Sequence, residues 1–348
     1  MRRIKDLLRN VAITSISGKE DALVGNIEFD SRRVIPETLF VAVKGTLTDG
    51  HEFINDAVRS GACAVICEKL PEKPADDVCW ITTSDSASAL GIVASEFYGN
   101  PSSSLRLTGV TGTNGKTTIA TVLYRMFTGL GYKCGLFSTV CNYVVDRELP
   151  ATHTTPDPVV LNRTLAEMVD AGCDYAFMEV SSHAVDQKRI SGLKFTGGIF
   201  TNLTHDHLDY HKTFDNYLHA KKSFFDSLSS DAFALVNADD RNGKVMVQNC
   251  SARKFSFSVR GNADFRGSVI EEDFGGMLLR IQGEEVWTRF TGDFNASNLL
   301  AVYAASVLLG APQKEILTVL SNLKPVPGRL EAVESPGRIS GIVDYAHT

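Results

Sequence analysis

Eight consecutive residues, Thr111-Gly112-Thr113-Asn114-Gly115-Lys116-Thr117-Thr118, have the types and spacing that phosphate chemistry needs. Glycines let main-chain N–H groups turn inward around a polyphosphate, and a helix starting at the lysine adds partial positive charge. The lysine neutralises the outer phosphates, and the hydroxyl after it can ligate Mg²⁺. The general pattern G-x-x-x-x-G-K-[ST] asks for glycine at position 110, where this chain has Val110, so the loop is a shorter G-x-x-G-K-T-T. A plain glycine turn between a strand and a helix is the alternative.

Four more stretches are unusually polar for chain that borders apolar runs. Thr152-His153-Thr154-Thr155-Pro156-Asp157 precedes a helical pattern and reads as an N-cap with proline near N1. Glu179-Val180-Ser181-Ser182-His183 puts a carboxylate at the end of a strand pattern, where an Mg²⁺-ligating acid is needed beside a phosphate loop. Asn202-Leu203-Thr204-His205-Asp206-His207-Leu208-Asp209-Tyr210-His211 invites a zinc reading, but its spacing matches no structural zinc motif, and magnesium with one or two protein ligands fits better. The pair Lys221-Lys222 lies on a helical pattern, which by itself predicts a solvated face.

The elements that must position these residues follow from periodicity. Apolar runs predict strands at 105–110, 133–138, 174–180, 197–202 and 233–237, with helices at 116–130, 157–171, 213–228 and 240–249 between them. Strand-helix alternation of this kind predicts a mostly parallel α/β sheet, with functional residues at the carboxyl ends of its strands. From 253 to 291, segments such as 254–259, 277–281 and 286–290 predict an appended antiparallel strand patch, and helices follow at 294–309 and 312–322. Residues 1–100 predict a separate small α/β domain, with strands at 38–43 and 62–67 around a helix at 53–59. Turn-forming residues 98–104 serve as its linker. Domains at 1–100 and 101–328, with a hinge at 329–348, complete the expected organisation. Inside the first domain, Asp30-Ser31-Arg32-Arg33 and Lys44-Gly45-Thr46-Leu47-Thr48-Asp49-Gly50-His51 read as surface turns whose hydroxyls and amides also suit a nucleotide diphosphate.

Composition narrows the class. The 348 residues are 43% hydrophobic and 22% charged, with a net charge of -6 and a pI near 5.8. No domain carries the basic surplus that a nucleic-acid partner demands. The amino terminus has no apolar core of signal length and no run approaches a membrane span, so a cytoplasmic protein without a membrane partner is expected. Seven cysteines, at 63, 67, 79, 134, 141, 173 and 250, show no metal or disulfide spacing and read as reduced core residues.

Taken together with His153-Thr154-Thr155-Pro156, Ala220-Lys221 and Gly292-Asp293-Phe294-Asn295-Ala296-Ser297-Asn298, these runs closely resemble the Mur ligases from the first residue to the last. Within that family the chain is similar to the ligases that add a diamino acid to UDP-N-acetylmuramoyl-L-alanyl-D-glutamate. The resemblance implies that Gly112, Thr113, Asn114, Gly115, Lys116, Thr117 and Thr118 bind ATP, that Asn295 and Asn298 stand on the adenine side, and that Arg329 and Asp344 belong to the same set. It implies Mg²⁺ at Thr117, Glu179 and His207, and a CO₂-derived carbamate on Lys221 as a further metal group, with Lys222 left as a solvated neighbour. Catalysis would rest on Lys116, Lys221, Glu179 and His207. The uridine nucleotide would meet Phe29, Ser31, Thr46, Leu47 and Thr48, and the muramoyl dipeptide His153, Thr154, Thr155, Ser181, Gln187 and Arg189.

The implied reaction is amide ligation through an acyl phosphate, by a monomer with ATP, the UDP-muramoyl dipeptide and a diamino acid as partners. Of the two diamino acids, meso-diaminopimelate is expected over L-lysine as the commoner. Gly341-Ile342-Val343-Asp344-Tyr345-Ala346-His347-Thr348 resembles the hinge that opens the family's third domain, so the resemblance implies a chain without that domain and poor turnover by this fragment. Two alternatives stand beside it: a folylpolyglutamate synthetase-like ligase, which would need no uridine domain, and a non-catalytic nucleotide-binding fragment.

Overall fold

The computed structural model describes residues 1–344, except 47, 152, 205, 207, 329–330 and 335–339, and omits the side chains of 208, 331–334 and 340–343. The chain forms two compact units. One comprises Met1–Ser104, Pro156–Glu167 and Asp186–Leu193; the other comprises Leu105–Thr155, Met168–Val185 and Lys194–Thr348.

In the first unit a five-stranded sheet runs in the order Ile13–Ser17, Cys79–Thr83, Ala62–Cys67, Thr38–Val41, Asn26–Glu28. All neighbours are parallel except the edge strand Ile13–Ser17. The two-residue period of a strand explains why its inner strands are apolar throughout. Leu39, Val41, Ala64 and Ile66 pack on one face with Leu90, Val93 and Ala94 of the helix Ser86–Phe97, while Phe40, Ala42, Val65 and Trp80 pack on the other with Ile54 and Ala57. The predicted helix at 53–59 forms as a 3₁₀ turn, Gly50–Phe53, followed by the short helix Ile54–Arg59.

The second unit is built on an eleven-stranded sheet. Its parallel core runs Cys134–Phe137, Tyr175–Glu179, Arg106–Thr111, Gly197–Phe200, Phe233–Asn237, Arg253–Ser258, Phe265–Asp273. Arg106–Thr111 is the strand on whose two sides the chain builds in opposite directions, a topological switch point where α/β sheets place their ligands. Gly276–Ile281 and Glu284–Thr288 extend one edge as an antiparallel patch, as expected. Two details differ from expectation. Arg253–Ser258 is parallel to its neighbours rather than part of the antiparallel patch, and the helix expected at 240–249 is the single turn Gly243–Met246. A second antiparallel hairpin, Cys141–Val144 with Arg147–Pro150, covers the opposite edge.

Helices Lys116–Gly129, Asp293–Leu308 and Gln313–Asn322 contribute Ile119, Leu123, Leu299, Val302 and Ile316 to the core on one face of this sheet. Phe214–Asp226 packs on the sheet through Phe224, which reaches the bare backbone of Gly109; a Cβ there would stand 2.7 Å from the Phe224 ring. Its Thr213 N-cap accepts the Asn216 N–H at 3.2 Å, and Tyr217, Lys221 and Phe224, at helical i, i+4, i+7 spacing, are buried together. That packing carries Lys221 to the carboxyl end of Arg106–Thr111. The seven cysteines are all unpaired thiols, five of them buried.

Candidate active site

Three adjacent strands deliver their carboxyl ends to one place. Arg106–Thr111 leads into the glycine loop, Tyr175–Glu179 ends on the carboxylate, and Gly197–Phe200 leads into Thr201 and Asn202. Gly115 has φ +87° and precedes the helix Lys116–Gly129; having no side chain, it leaves the helix N-terminus uncapped. Two loop amides are already committed: Thr113 N–H donates to the Asn202 carbonyl at 2.9 Å and Asn114 N–H to Asn202 Oδ1 at 3.0 Å. Thr201 Oγ1 donates to the Asn114 carbonyl at 2.6 Å. Asn202 therefore braces the loop, and the helix N-terminus from Gly115 onward is the part aimed at an anion.

Lys116 Nζ folds back onto the carbonyls of Gly112 at 3.0 Å and Thr113 at 2.8 Å. Lys221 Nζ donates to the same Gly112 oxygen at 2.8 Å, is 1% exposed, and lies 4.6 Å from the centre of the Tyr217 ring. Two ammonium groups on one carbonyl repel. Burial first, and then the Lys116 charge, hold the Lys221 amine well below the ordinary lysine range, against a smaller opposing pull from Asp206. Both effects favour the uncharged form of the Lys221 amine.

Glu179 is 1% exposed, and burial raises its pKa against the opposing pulls of Lys116, the Thr139 N–H and the Thr117 hydroxyl. Thr117 Oγ1 donates to Glu179 Oε2 at 3.0 Å, and Thr139 N–H to Oε1 at 2.6 Å. A hydroxyl and a carboxylate side by side at a phosphate loop are the hard oxygen donors that suit Mg²⁺, which keeps waters and phosphate oxygens as its other ligands. Among the described residues no group of three or more His, Cys, Asp or Glu gathers as a metal cage. The donor set thus fits a phosphate-bound magnesium better than zinc.

Comparison with known proteins decides the family. A Mur ligase middle-domain model matches residues 110–306, and the model described as Mur ligase family, catalytic domain, matches residues 24–98. The chain belongs to the Mur ligase family. A relative from Bacteroides fragilis, named UDP-N-acetylmuramoyl-L-alanyl-D-glutamate--2,6-diaminopimelate ligase, is 54% identical over 346 residues, 99% of this chain and 71% of its own length. A solved structure of a protein with that name superposes with a TM-score of 0.81 at 25% identity, covering all of this chain and 72% of the other. A Mycobacterium tuberculosis folylpolyglutamate synthase shares the fold at a TM-score of 0.59 and 17% identity, over 75% of this chain and 67% of its own.

Within this Mur ligase, the structure brings Gly112 to Thr118, Glu179 and Lys221 together. Asn298 stands beside them, its Oδ1 2.6 Å from where a Gly115 Cβ would lie; its Nδ2 donates to Asn295 Oδ1 at 3.2 Å. Thr155 Oγ1 donates to the Glu179 carbonyl at 2.8 Å and accepts the Ser181 N–H at 3.2 Å, and Thr139 Oγ1 donates to Thr154 Oγ1 at 3.1 Å. His153 is exposed in the same unit. In the first unit, Ser31 opens the 3₁₀ turn Ser31–Arg33 that Asp30 caps, half-buried Phe29 packs on the core, and Thr46 and Thr48 are exposed on their turn. Gln187 Oε1 accepts from Arg189 Nε at 3.0 Å and Nη2 at 2.7 Å. Asp344 is exposed after the strand Ser340–Val343. Leu47, His207 and Arg329 lie outside the described residues.

Lys222 departs from expectation. It is 6% exposed, and its Nζ donates to both carboxylate oxygens of Asp226, one turn on, at 2.7 Å. The charge is neutralised within the helix instead of by water. Asn202 is the residue that motif reading left without a role, and its proximity to the loop was implied only by the adjacency of their two strands.

Proposed function

We propose that this Mur ligase joins meso-diaminopimelate to UDP-N-acetylmuramoyl-L-alanyl-D-glutamate at the expense of ATP, as a cytoplasmic monomer in peptidoglycan precursor synthesis. The observation that carries the reading is the 54% identity, over 99% of the chain, to a relative named for that reaction. The site chemistry agrees with it.

ATP is bound with its phosphates against the helix N-terminus at Gly115, where Lys116 exchanges its loop carbonyls for phosphate oxygens. Asn295 and Asn298 take the adenine side. The γ-phosphoryl group passes to a carboxylate oxygen of the D-glutamyl residue, giving an acyl phosphate and ADP. The diaminopimelate amine then attacks the acyl carbon, loses a proton, and the tetrahedral intermediate expels inorganic phosphate to leave the amide. Thr117 and Glu179, with His207 and a Lys221 carbamate as further protein groups, would hold magnesium, which when bound would supply charge neutralisation at the phosphates. Nothing in this sequence calls for a protein nucleophile, so the chain's work is placement and electrostatics. By family resemblance His153, Thr154, Thr155, Ser181, Gln187 and Arg189 are assigned to the dipeptide, and Phe29, Ser31, Thr46, Leu47 and Thr48 to the uridine nucleotide.

The test is phosphate release and calorimetric binding with a panel. Release with the UDP-muramoyl dipeptide and meso-diaminopimelate, weak or absent with L-lysine, is the expected result. Preference for L-lysine corrects the amino acid, and release with a folate and L-glutamate overturns the reading.

A further inference from the structure

Among the described residues, an imidazole links the turn that carries Thr46 and Thr48 to the chain just past a neighbouring strand. Lys44 and Asp49 close the turn as an antiparallel bridge, and Gly45 N–H donates to the Thr48 carbonyl at 2.9 Å. Asp49 Oδ1 then accepts twice from His51, from its main-chain N–H at 3.0 Å and from ring Nδ1 at 2.6 Å. Those two bonds hold the Asp49 carboxyl below the usual carboxylate range. On the far side of the ring, Glu68 N–H donates to His51 Nε2 at 2.8 Å, just past the strand Ala62–Cys67. Glu68 Oε1 accepts both the N–H and the hydroxyl of Ser86, at 3.1 and 3.0 Å, where the helix Ser86–Phe97 begins.

A main-chain N–H can only donate, so Nε2 is an acceptor and the ring proton stands on Nδ1, facing Asp49. We infer that His51 is a positioning residue for nucleotide-sugar recognition, a neutral strut that holds the Lys44–Asp49 bridge at the base of the turn, and with it Thr46 and Thr48, before the ligand arrives. The inference rests on the reading that this turn takes the uridine nucleotide. Thr46 and Thr48 are exposed, so their own packing does little to fix where their hydroxyls stand. A turn ordered in advance loses less freedom on binding, and that is where affinity is gained.

Long-range ¹H–¹⁵N NMR of the chain should find His51 in the Nδ1–H form; an Nε2–H tautomer or an imidazolium at neutral pH overturns the strut. Calorimetry with UDP-N-acetylmuramoyl-L-alanyl-D-glutamate and, separately, ADP reads its consequence. His51→Phe keeps the ring volume without either bond and should weaken the muramoyl nucleotide about tenfold, with ADP unchanged. His51→Gln, whose carbonyl can still accept from Glu68 N–H, should stay within about threefold of the parent. If the Phe variant fails to fold, Asp49→Asn, which weakens the ring's other anchor, is read on the same scale. Binding that His51→Phe leaves intact, or a parallel fall in ADP affinity, overturns the inference alone. Failure of the unsubstituted chain to bind the muramoyl nucleotide overturns the substrate reading first and the inference with it.

Discussion

Lys221 and Lys116 donate to the same main-chain oxygen, that of Gly112, at 2.8 and 3.0 Å. Burial first, and then the charge of the neighbouring Lys116, hold the Lys221 amine well below the ordinary lysine range. The carbamate proposed for Lys221 would form on the uncharged amine, which this direction favours, and its negative charge would be stabilised by divalent cations.

Replacing that amine separates function from stability. Lys221→Met should cut phosphate release at least about a hundredfold, the scale of losing a charge-stabilising group, and a short added carboxylate should restore part of the activity of Lys221→Ala. Between the depressed value in the fold and 10.5 in the unfolded chain, the unfolded state holds the extra proton. Stability therefore rises with pH across that window, and the cost of the buried lysine is greatest at its acid end. Melting curves should show Lys221→Met more stable than the parent, with the gain shrinking as pH approaches the ordinary lysine range. Undiminished phosphate release would remove Lys221 from the mechanism.

Glu179 gives the opposite pH sign. Its carboxyl titrates above 4.5, so between 4.5 and its raised value the folded state holds the extra proton, and stability falls as pH rises through that window. Glu179→Gln keeps an acceptor for the Thr139 N–H and offers Thr117 a donor. It should melt higher than the parent above the window and no higher below pH 4.5, and it should lose about tenfold in Mg²⁺-dependent ATP affinity while ATP binding in a chelator is unchanged. Equal affinities with and without Mg²⁺ in both proteins would remove the metal role.

Much of this site was legible in the residues because phosphate chemistry fixes their spacing. The glycine loop shows in its residue types and spacing, while the strand ending at Glu179 and the helix bearing Lys221 show in apolar periodicity. What was not legible has local causes. The direction in which Arg253–Ser258 pairs is not encoded in its alternating residues, since either neighbour direction buries the same face. Leu208–His211 and Ser182–Asp186 are too short for a helical period to show. Lys222 reads as a solvated neighbour from sequence because its partner, Asp226, is an ordinary i+4 residue whose effect depends on how deeply the helix is seated.

Asn202 is predicted to matter through the loop it braces. Asn202→Ala removes the acceptor for the Asn114 N–H and should lower ADP affinity about fivefold, the order of one hydrogen bond to a ligand-bearing loop. Asn202→Asp retains an acceptor at that position and should lose less. Calorimetry of the muramoyl nucleotide serves as the control, with no change expected.

Gly115 is held by two constraints that a mutant cycle can separate. At φ +87° an alanine costs about 1–2 kcal/mol in backbone strain, and its Cβ would stand 2.6 Å from Asn298 Oδ1. Gly115→Ala should therefore destabilise the chain by more than the backbone figure alone and weaken ADP binding. Asn298→Ala relieves the contact but not the strain, so in the double variant the stability loss should be smaller than the sum of the two singles. Denaturant unfolding of the four proteins measures the coupling. A coupling of zero would mean that Asn298 does not press on the phosphate loop, and that its place beside Gly115 is incidental to nucleotide binding.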